Sequence, residues 1–537
     1  MNSKKIMTKT CAALFIAALT LVFFSIKFSM LKKSDYPNGL DGFYYALQAE
    51  SFVVNLEFEN PDIECGYYIS GFISGVIGDS VTGVKIWAAL SSALLSLSVF
   101  TLLYVLLEKF PGRFFFSLTG MLFSGVSVCV TIMSINYINN QTGLFFLLFY
   151  AASLISCFRE KETRFDFWAN IIIAVAMLVM SVLSHRTSAV YAVVMTVLYI
   201  CSKILSGKLS GKNAFSVIAL VFVLCFAVIV IIVGQSKRFS HSFAFPSFAF
   251  LHKNLISCIG EKGVSGSVEI TFCYLFAWLM AAALILIEKK VRVEYFFVPV
   301  IFFPFWNYDS DMGFRMAVNG LAAGIPLLFY FASRLVGFIK AADGIKVFLS
   351  AALAPVFFIM IFFSSGAYNP KFDPPFEYYK SIAEKIDLPS DSLLIAHQGL
   401  NHVYTYYNNL RDSMNWLPDY EIEEDKVWRL AYGANAERIR EVVEEYEKNL
   451  QEQEEPVEDA AEENKDEAPG ETKEVKEPAD PFEGLEQIDW NYVLLKESLW
   501  QEYLIAEDTD IAGTFDNWYN PSEVRPDYIR KSERKLH

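Results

Sequence analysis

The chain has 537 residues, of which 54% are hydrophobic and 48 are phenylalanine. One water-soluble core cannot accommodate that much apolar sequence, and the apolar residues fall into runs of membrane-spanning length. The formal net charge is −15, but residues 366–537 alone carry 18 basic and 41 acidic residues. The acidic excess therefore belongs to the C-terminal part. The sequence contains no P-loop, GxGxxG or zinc-ligand spacing, so it gives no support to a nucleotide-driven pump or a dinucleotide-dependent enzyme.

About eleven hydrophobic runs predict a mainly α, polytopic membrane helix bundle. They lie near residues 10–30, 84–107, 113–133, 141–157, 167–184, 188–203, 214–234, 268–287, 291–306, 313–333 and 347–365. The first run lacks a clear small-residue cleavage site, so we expect it to remain as an anchor. The run at 291–306 is short and contains two prolines, which also fits a re-entrant segment.

Lysine and arginine are distributed unevenly between alternate connections. One set of short connections holds 17 of them, whereas the other set, longer in total, holds nine. The positive-inside rule places the first set, with the N-terminus, in the cytoplasm. We therefore expect a multi-pass protein of the plasma (inner) membrane, with the loop 31–83 and residues 366–537 on the external or periplasmic side.

The pattern divides the chain into a transmembrane module, residues 1–365, and an external soluble α/β domain, residues 366–537. Helical spacing at 375–386 and a short buried strand at 391–396 predict the folded part of this domain. The stretch 441–483 is rich in glutamate and nearly lacks aromatic residues, a composition that cannot bury enough apolar surface to offset chain entropy. We expect it to be a disordered acidic insertion.

The first external loop contains an acidic residue at a predicted helix start. Asp41, Tyr45, Gln48 and Phe52 recur at helical spacing, which predicts an amphipathic helix along the membrane surface. Asp41 then has two readings. It can cap the helix through backbone N–H groups, or it can accept a proton from a sugar hydroxyl or hold a metal at the membrane surface. One aspartate can do both.

Cations at the predicted external ends of spans are candidates for binding a phosphate. His185 and Arg186 form a tight turn between two spans, and Arg315 begins another span behind Asp309 and Asp311. Charge in such places is costly unless it meets a headgroup or a partner. The alternatives are snorkelling to ordinary lipid phosphate and pairing of Arg315 with either aspartate. Those two acids are also candidates for binding a divalent metal or the acceptor sugar, or else form a solvated loop.

The order of these elements resembles the GT-C superfamily of integral membrane glycosyltransferases. An acidic residue precedes a Tyr-Tyr pair in the first loop, and a Pro-containing segment with a second aromatic pair, Tyr67-Tyr68, follows. A Gly-Asp-Ser turn then leads into the second span. The match covers roughly residues 10–400 at the level of a superfamily.

The resemblance implies a single-displacement, inverting transfer of a sugar from a polyprenyl-phosphate donor to a glycan, lipid or protein acceptor, without a nucleic-acid partner. No cofactor is implied beyond a possible divalent metal. The roles that follow are Asp41 as base, a donor-phosphate site at His185, Arg186 and Arg315, and substrate contacts at Tyr44, Tyr45, Asp62, Tyr67, Asp309 and Asp311.

The chain also departs from that pattern. It has Asn60-Pro61-Asp62 where many members have His-Pro-Pro, and it lacks the Trp-Trp-Asp motif of oligosaccharyltransferases, which favours transfer of a single sugar. Two other functions remain open. A polytopic transporter or lipid flippase would be favoured by ionisable residues deep in the spans, but Lys27 is the only clear one, and a lysine near a helix end can snorkel. A catalytically inactive envelope assembly factor is the third possibility.

Overall fold

The computed structural model describes residues 2–39, 41–57, 64–157, 164–205, 267–301, 310–340, 342–349, 351–352, 376–397, 399–408, 413–414, 423–454, 482 and 485–500. The chain divides into two compact units, residues 1–372 and 373–537.

The first unit is helical throughout its described part. Its helices are α1 (Asn2–Leu31), α2 (Gly42–Asn55), α3 (Cys65–Ile77), α4 (Ser80–Leu106), α5 (Arg113–Val126), α6 (Val128–Asn136), α7 (Ile138–Ser156), α8 (Arg164–Ser184), α9 (Arg186–Leu205), α10 (Ser267–Glu288), α11 (Phe297–Ile301) and α12 (Ser310–Gly337), with a 3-10 turn at Val293–Phe296 before α11.

The described helices confirm a mainly α, multi-pass membrane protein. Five are long and apolar enough to cross a membrane, and α5 with α6 adds a sixth if that bent pair is one span. The five are Thr10–Leu31, Ser80–Leu106, Ile138–Ser156, Phe165–Ser184 and Arg315–Gly337. The run predicted at 214–234 and most of the run at 347–365 lie outside the described residues.

The run predicted as one helix at 113–133 is broken at Ser127, where the two parts meet at 49°. Ser127 has φ −55° and ψ 132°, so it leaves the helical region. Its hydroxyl oxygen accepts a hydrogen bond from the N–H of Val130 at 3.1 Å. The Glu269 carboxylate accepts from the N–H of Val128 at 2.8 Å and from the Ser127 hydroxyl. These contacts satisfy N–H groups that a new helix start leaves without intrahelical partners.

The same break gathers two ionisable side chains inside the bundle. Lys27 of α1 is 4% exposed and donates a hydrogen bond to the Thr131 hydroxyl, one turn into α6. Glu269 of α10 is fully buried. The carboxylate lies at the N-terminus of α6, where its hydrogen bonds complement the helix dipole. The sequence indicated Lys27 alone as an ionisable residue within the bundle. The structure adds Glu269.

The second unit is a small α/β domain, as predicted. Its described elements are α13 (Phe376–Ala383), β1 (Leu393–Ile395), α14 (Leu400–Tyr407), β2 (Ser413–Met414), β3 (Val427–Tyr432), α15 (Ala434–Glu454), β4 (Glu486–Asp489), β5 (Tyr492–Lys496) and α16 (Glu497–Trp500). The strand order is β2-β1-β3-β5-β4. β1 is parallel to β2 and β3, whereas β5 is antiparallel to β3 and β4.

The buried polar groups of this sheet have partners that give them a structural role. His397, which follows β1, is 8% exposed, and its Nε2 lies 2.8 Å from the Tyr492 hydroxyl. Arg429 of β3 forms two hydrogen bonds with Glu497, at 2.6 and 2.7 Å. A bidentate pair of this kind fixes the start of α16 against the sheet.

The predicted disordered insertion at 441–483 is helical at its beginning, because α15 continues to Glu454. Ala436 and Ile439 are buried in the core, and Val443 packs against the same cluster. These residues form an apolar stripe at helical spacing. Glutamate also favours helices, so its abundance alone does not indicate disorder at this point. Residues 455–481 lie outside the described residues.

Candidate active site

The turn before α2 is fixed against the end of α6. Gly39 has φ +83°, and a Cβ there would lie 2.3 Å from the Ile135 carbonyl oxygen. Only glycine fits such a position. The Lys85 ammonium, from α4, donates to the Ser34 carbonyl oxygen at 2.5 Å and holds the beginning of the same loop. The loop therefore presents Asp41 from a defined backbone.

Helix α2 begins directly after Asp41, as the periodicity predicted. The Asp41 side chain makes no capping hydrogen bond to the first turn of the helix. Asp79, at the start of α4, provides the contrast, because its carboxylate accepts from the N–H of Thr82 at 2.8 Å. The capping reading of Asp41 thus has no hydrogen bond to support it.

Three tyrosines that sequence reasoning singled out lie together between α2 and α3. The ring centroid of Tyr67 is 5.8 Å from that of Tyr44 and 5.5 Å from that of Tyr45. Gln48, fully buried one turn along α2, donates to the Tyr44 hydroxyl at 3.0 Å. The edge-to-face contact of Tyr67 with Tyr44, its tilted contact with Tyr45 and this hydrogen bond fix the direction of the aromatic side chains.

Both acidic and basic groups of the site act on the pKa of Tyr45. Burial raises its pKa well above the usual range, and the charges of Asp41 and Glu64 raise it further. The N–H of Asn139 and the charge of Arg315 act in the opposite direction. Charges must be near to act in this way, so the structure brings Asp41 and Arg315 around one phenol although they lie far apart in sequence.

His185 lies in the turn between α8 and α9, where the charge of Arg315 acts on its pKa. Burial lowers the pKa of His185 to about 3, and the positive charges of Arg186 and Arg315 contribute. The ring is therefore neutral at physiological pH. Its Nδ1 accepts from the N–H of Thr187 at 3.1 Å, so the proton of the neutral ring is on Nε2. His185 is thus a neutral N–H donor beside two guanidinium groups.

Arg315 also stacks on the junction between α6 and α7. Its guanidinium carbon lies 5.1 Å from the ring centroid of Tyr137. Cation–π contact of this kind holds the guanidinium plane without consuming all of its donors. The candidates for phosphate binding therefore come from two parts of the bundle, His185 and Arg186 from the α8–α9 turn and Arg315 from α12.

Sequence reasoning missed Glu64 and Asn139 as members of the site. The Asn139 amide, from α7, donates to the Glu64 carboxylate. Asn139 approaches so closely that a Cβ on Gly66 would lie 2.0 Å from its Oδ1. Glu64 stands in the segment already noted for Asp62, but nothing in the sequence indicated that it, rather than its neighbours, would meet α7.

The remaining predicted residues lie at the limits of the described chain. Asp62 and Asp309 are outside the described residues, and Asp311 lies in the first turn of α12. Among the described residues, no group of three or more His, Cys, Asp or Glu side chains could hold a metal ion. Metal binding and the substrate roles of these aspartates stay predictions.

No protein-family model matches the sequence, and no curated protein matches it significantly. The structure is similar to that of ArnT from Cupriavidus metallidurans bound to undecaprenyl phosphate, with a TM-score of 0.47 and 12% identity over 78% of this chain and 93% of that chain. It is also similar to the Archaeoglobus fulgidus oligosaccharyltransferase in its apo form, with a TM-score of 0.48 and 10% identity over 74% of this chain and 64% of that chain. Because these scores and identities are low, the function is argued from the residues of this chain.

Proposed function

We propose that the chain is a membrane glycosyltransferase that moves a single sugar from a polyprenyl-phosphate donor to an acceptor hydroxyl at the external membrane surface. One observation carries the proposal: the turn before Asp41 packs against the end of α6 at Ile135 and Asn136, and Arg315 stacks on the adjacent Tyr137. A proton acceptor and a group of phosphate-binding donors are thereby neighbours. Sugar transfer from a lipid phosphate needs both.

Asp41 is the base of the proposed reaction. Its carboxylate takes the proton of the acceptor hydroxyl while the oxygen attacks the anomeric carbon of the donor sugar. The bond from that carbon to the phosphate oxygen breaks, and its electron pair leaves with the polyprenyl phosphate. A single displacement of this kind inverts the anomeric configuration. Asp41 is suited to the role because its side chain is not engaged in capping α2.

The donor phosphate is bound by Arg186, Arg315 and His185. Guanidinium groups bind phosphate through charge-assisted hydrogen bonds, and these contacts strengthen as negative charge develops on the leaving oxygen. The Nε2–H of the neutral His185 adds a donor whose ring position is fixed by Thr187. Tyr44, Tyr45, Tyr67 and the acids Asp62, Asp309 and Asp311 are proposed to contact sugar or acceptor.

The variant Asp41→Asn tests the base. Asparagine occupies the same volume and is equally acceptable before a helix, but it cannot accept a proton. We expect the variant to fold and to bind decaprenyl phosphate like the wild type, while transfer falls by roughly two to four orders of magnitude. The measurement is the incorporation of labelled sugar from decaprenyl-phosphate hexoses and pentoses into native membrane acceptors.

Asp79→Asn is the matched control, because Asp79 is an acid at a nearby helix start that does cap its helix. We expect wild-type transfer from this variant. Equal turnover of wild type and Asp41→Asn would reject Asp41 as the base. Failure of the wild type to bind decaprenyl phosphate would reject the glycosyltransferase itself.

A transporter or lipid flippase is favoured by one observation, the burial of Lys27 and Glu269 within the bundle. Buried ionisable groups often mark transport pathways. In reconstituted vesicles, translocation of polyprenyl phosphate that Lys27→Met abolishes and Asp41→Asn leaves intact would support this second function. Loss of sugar transfer in Asp41→Asn, without any translocation by the wild type, would oppose it.

A further inference from the structure

Two asparagines of the described chain are buried with neither amide atom in a hydrogen bond. Asn38 is 6% exposed and Asn319 is 1% exposed, and both the Oδ1 and the Nδ2 of each lack a partner. A buried polar group without a partner costs more free energy than a typical hydrogen bond contributes. Such groups are rare in folded proteins and need an explanation.

Asn319 lies beside the basic part of the site. It follows Arg315 by four residues on α12, so the two side chains lie on the same face, one helical turn apart. Arg315 stacks on Tyr137 and lowers the pKa of His185. A sugar is bonded directly to the phosphate that carries it, so its hydroxyl groups come within about one helical turn of a phosphate ligand.

Asn38 lies beside the acidic part of the site. It stands three residues before Asp41 and directly before the turn that a hydrogen bond from the N–H of Gly42 to the carbonyl oxygen of Gly39 closes at 3.2 Å. A Cβ on Gly39 would lie 2.7 Å from the Asn136 side-chain oxygen. The backbone beside Asn38 therefore packs on the α6–α7 junction, where Arg315 also stacks. Asn38 and Asn319 thus each lie close along the chain to a residue that meets this junction.

The chemistry of an amide selects the ligand. Each side chain offers one acceptor and two donors, whereas a phosphate needs donors alone and would be repelled by the carbonyl oxygen. Neutral hydroxyl groups satisfy both ends of an amide. The guanidinium groups and the carboxylate contact atoms common to every polyprenyl-phosphate sugar, so they cannot distinguish one sugar from another. Buried amides can, because a sugar without the matching hydroxyl leaves them unsatisfied.

We propose that Asn38 and Asn319 bind hydroxyl groups of the donor's sugar and set which sugar is accepted; this rests on the proposed function. The test measures the Kd of purified full-length protein for decaprenyl phosphate and for decaprenyl-phosphate glucose, mannose and ribose. Asn38→Ala and Asn319→Leu each remove one amide. If the Asn319→Leu variant does not fold, Asn319→Ser is used in its place. Ser92→Ala is the control, because the Ser92 hydroxyl is also buried in the bundle without a partner.

We expect the wild type to bind one sugar-carrying lipid more tightly than decaprenyl phosphate alone. Each asparagine variant should lose about tenfold or more of that preference while binding the sugar-free lipid normally, and Ser92→Ala should match the wild type. Unchanged Kd ratios in the variants would overturn the inference and leave water as the partner of the amides, with the proposed function intact. No binding of decaprenyl phosphate by the wild type would overturn both.

Discussion

The described helix starts of α2, α4, α6 and α9 each have an ionisable side chain beside them, and these side chains differ in what they do. Asp79 caps α4 and His185 accepts from the first turn of α9. Glu269 caps α6 from a distant part of the chain. Asp41 stands at the start of α2 without such a bond. Three of these side chains accept hydrogen bonds from backbone N–H groups and so stabilise a helix start. The Asp41 carboxylate makes no such bond to α2. A position before a helix does not by itself define a role.

The largest effect should come from Glu269. In Glu269→Ala the N–H groups of α6 lose their acceptor, and Lys27 loses the nearby negative charge. Breaking a buried charged network typically costs about 3–5 kcal/mol. We expect a corresponding loss of the free energy of unfolding, measured by chemical denaturation in detergent.

The double variant Lys27→Met/Glu269→Gln should recover most of that loss. Glutamine keeps an acceptor for the Val128 N–H, and methionine removes the buried cation. If the double variant is no more stable than Glu269→Ala, neither the lost acceptor for the Val128 N–H nor the unpaired charge of Lys27 accounts for the loss.

The sequence predicted the elements of the site more readily than their association. Hydropathy located the five long apolar helices that the structure describes, and periodicity located α2 with Asp41 at its start. The break at Ser127 has only a weak local signal, the Ser124-Gly125 pair just before it, of a kind that occurs at helix kinks. Its stabilising acid, Glu269, lies 142 residues away along the chain. Glu64 and Asn139 were missed for the same reason, since each gains its role from a tertiary contact.

The next effect is the pH dependence at His185. Its pKa is lowered to about 3 by burial and by Arg186 and Arg315, whereas an unfolded histidine has a pKa near 6.5. Between these values the unfolded chain binds the extra proton. The stabilising contribution is therefore complete above about pH 6.5 and decreases as the pH falls toward about 3, by at most about 1.4 kcal/mol per pH unit.

His185→Asn isolates this contribution, because asparagine keeps an acceptor for the Thr187 N–H and does not titrate. The measurement is the difference in unfolding free energy between wild type and variant from pH 7 to pH 5. As the solution becomes more acidic, the wild type should lose stability relative to the variant. Parallel curves would show that the histidine is not held neutral.

The smallest effect is expected from a pair of alanine variants. This pair tests most directly the comparison between Asp79, which caps its helix, and Asp41, which does not. Asp79→Ala removes an observed cap and should lower the free energy of unfolding by about 0.5–2 kcal/mol. Asp41→Ala removes no capping bond, so its stability should stay within about 0.5 kcal/mol of the wild type. Both are measured as unfolding midpoints of the purified proteins. Equal losses would mean that Asp41 supports its helix as Asp79 does, and a loss of sugar transfer in Asp41→Ala would then no longer separate chemistry from folding. A loss confined to Asp79→Ala would show that Asp41 does not support the start of α2 as Asp79 supports the start of α4.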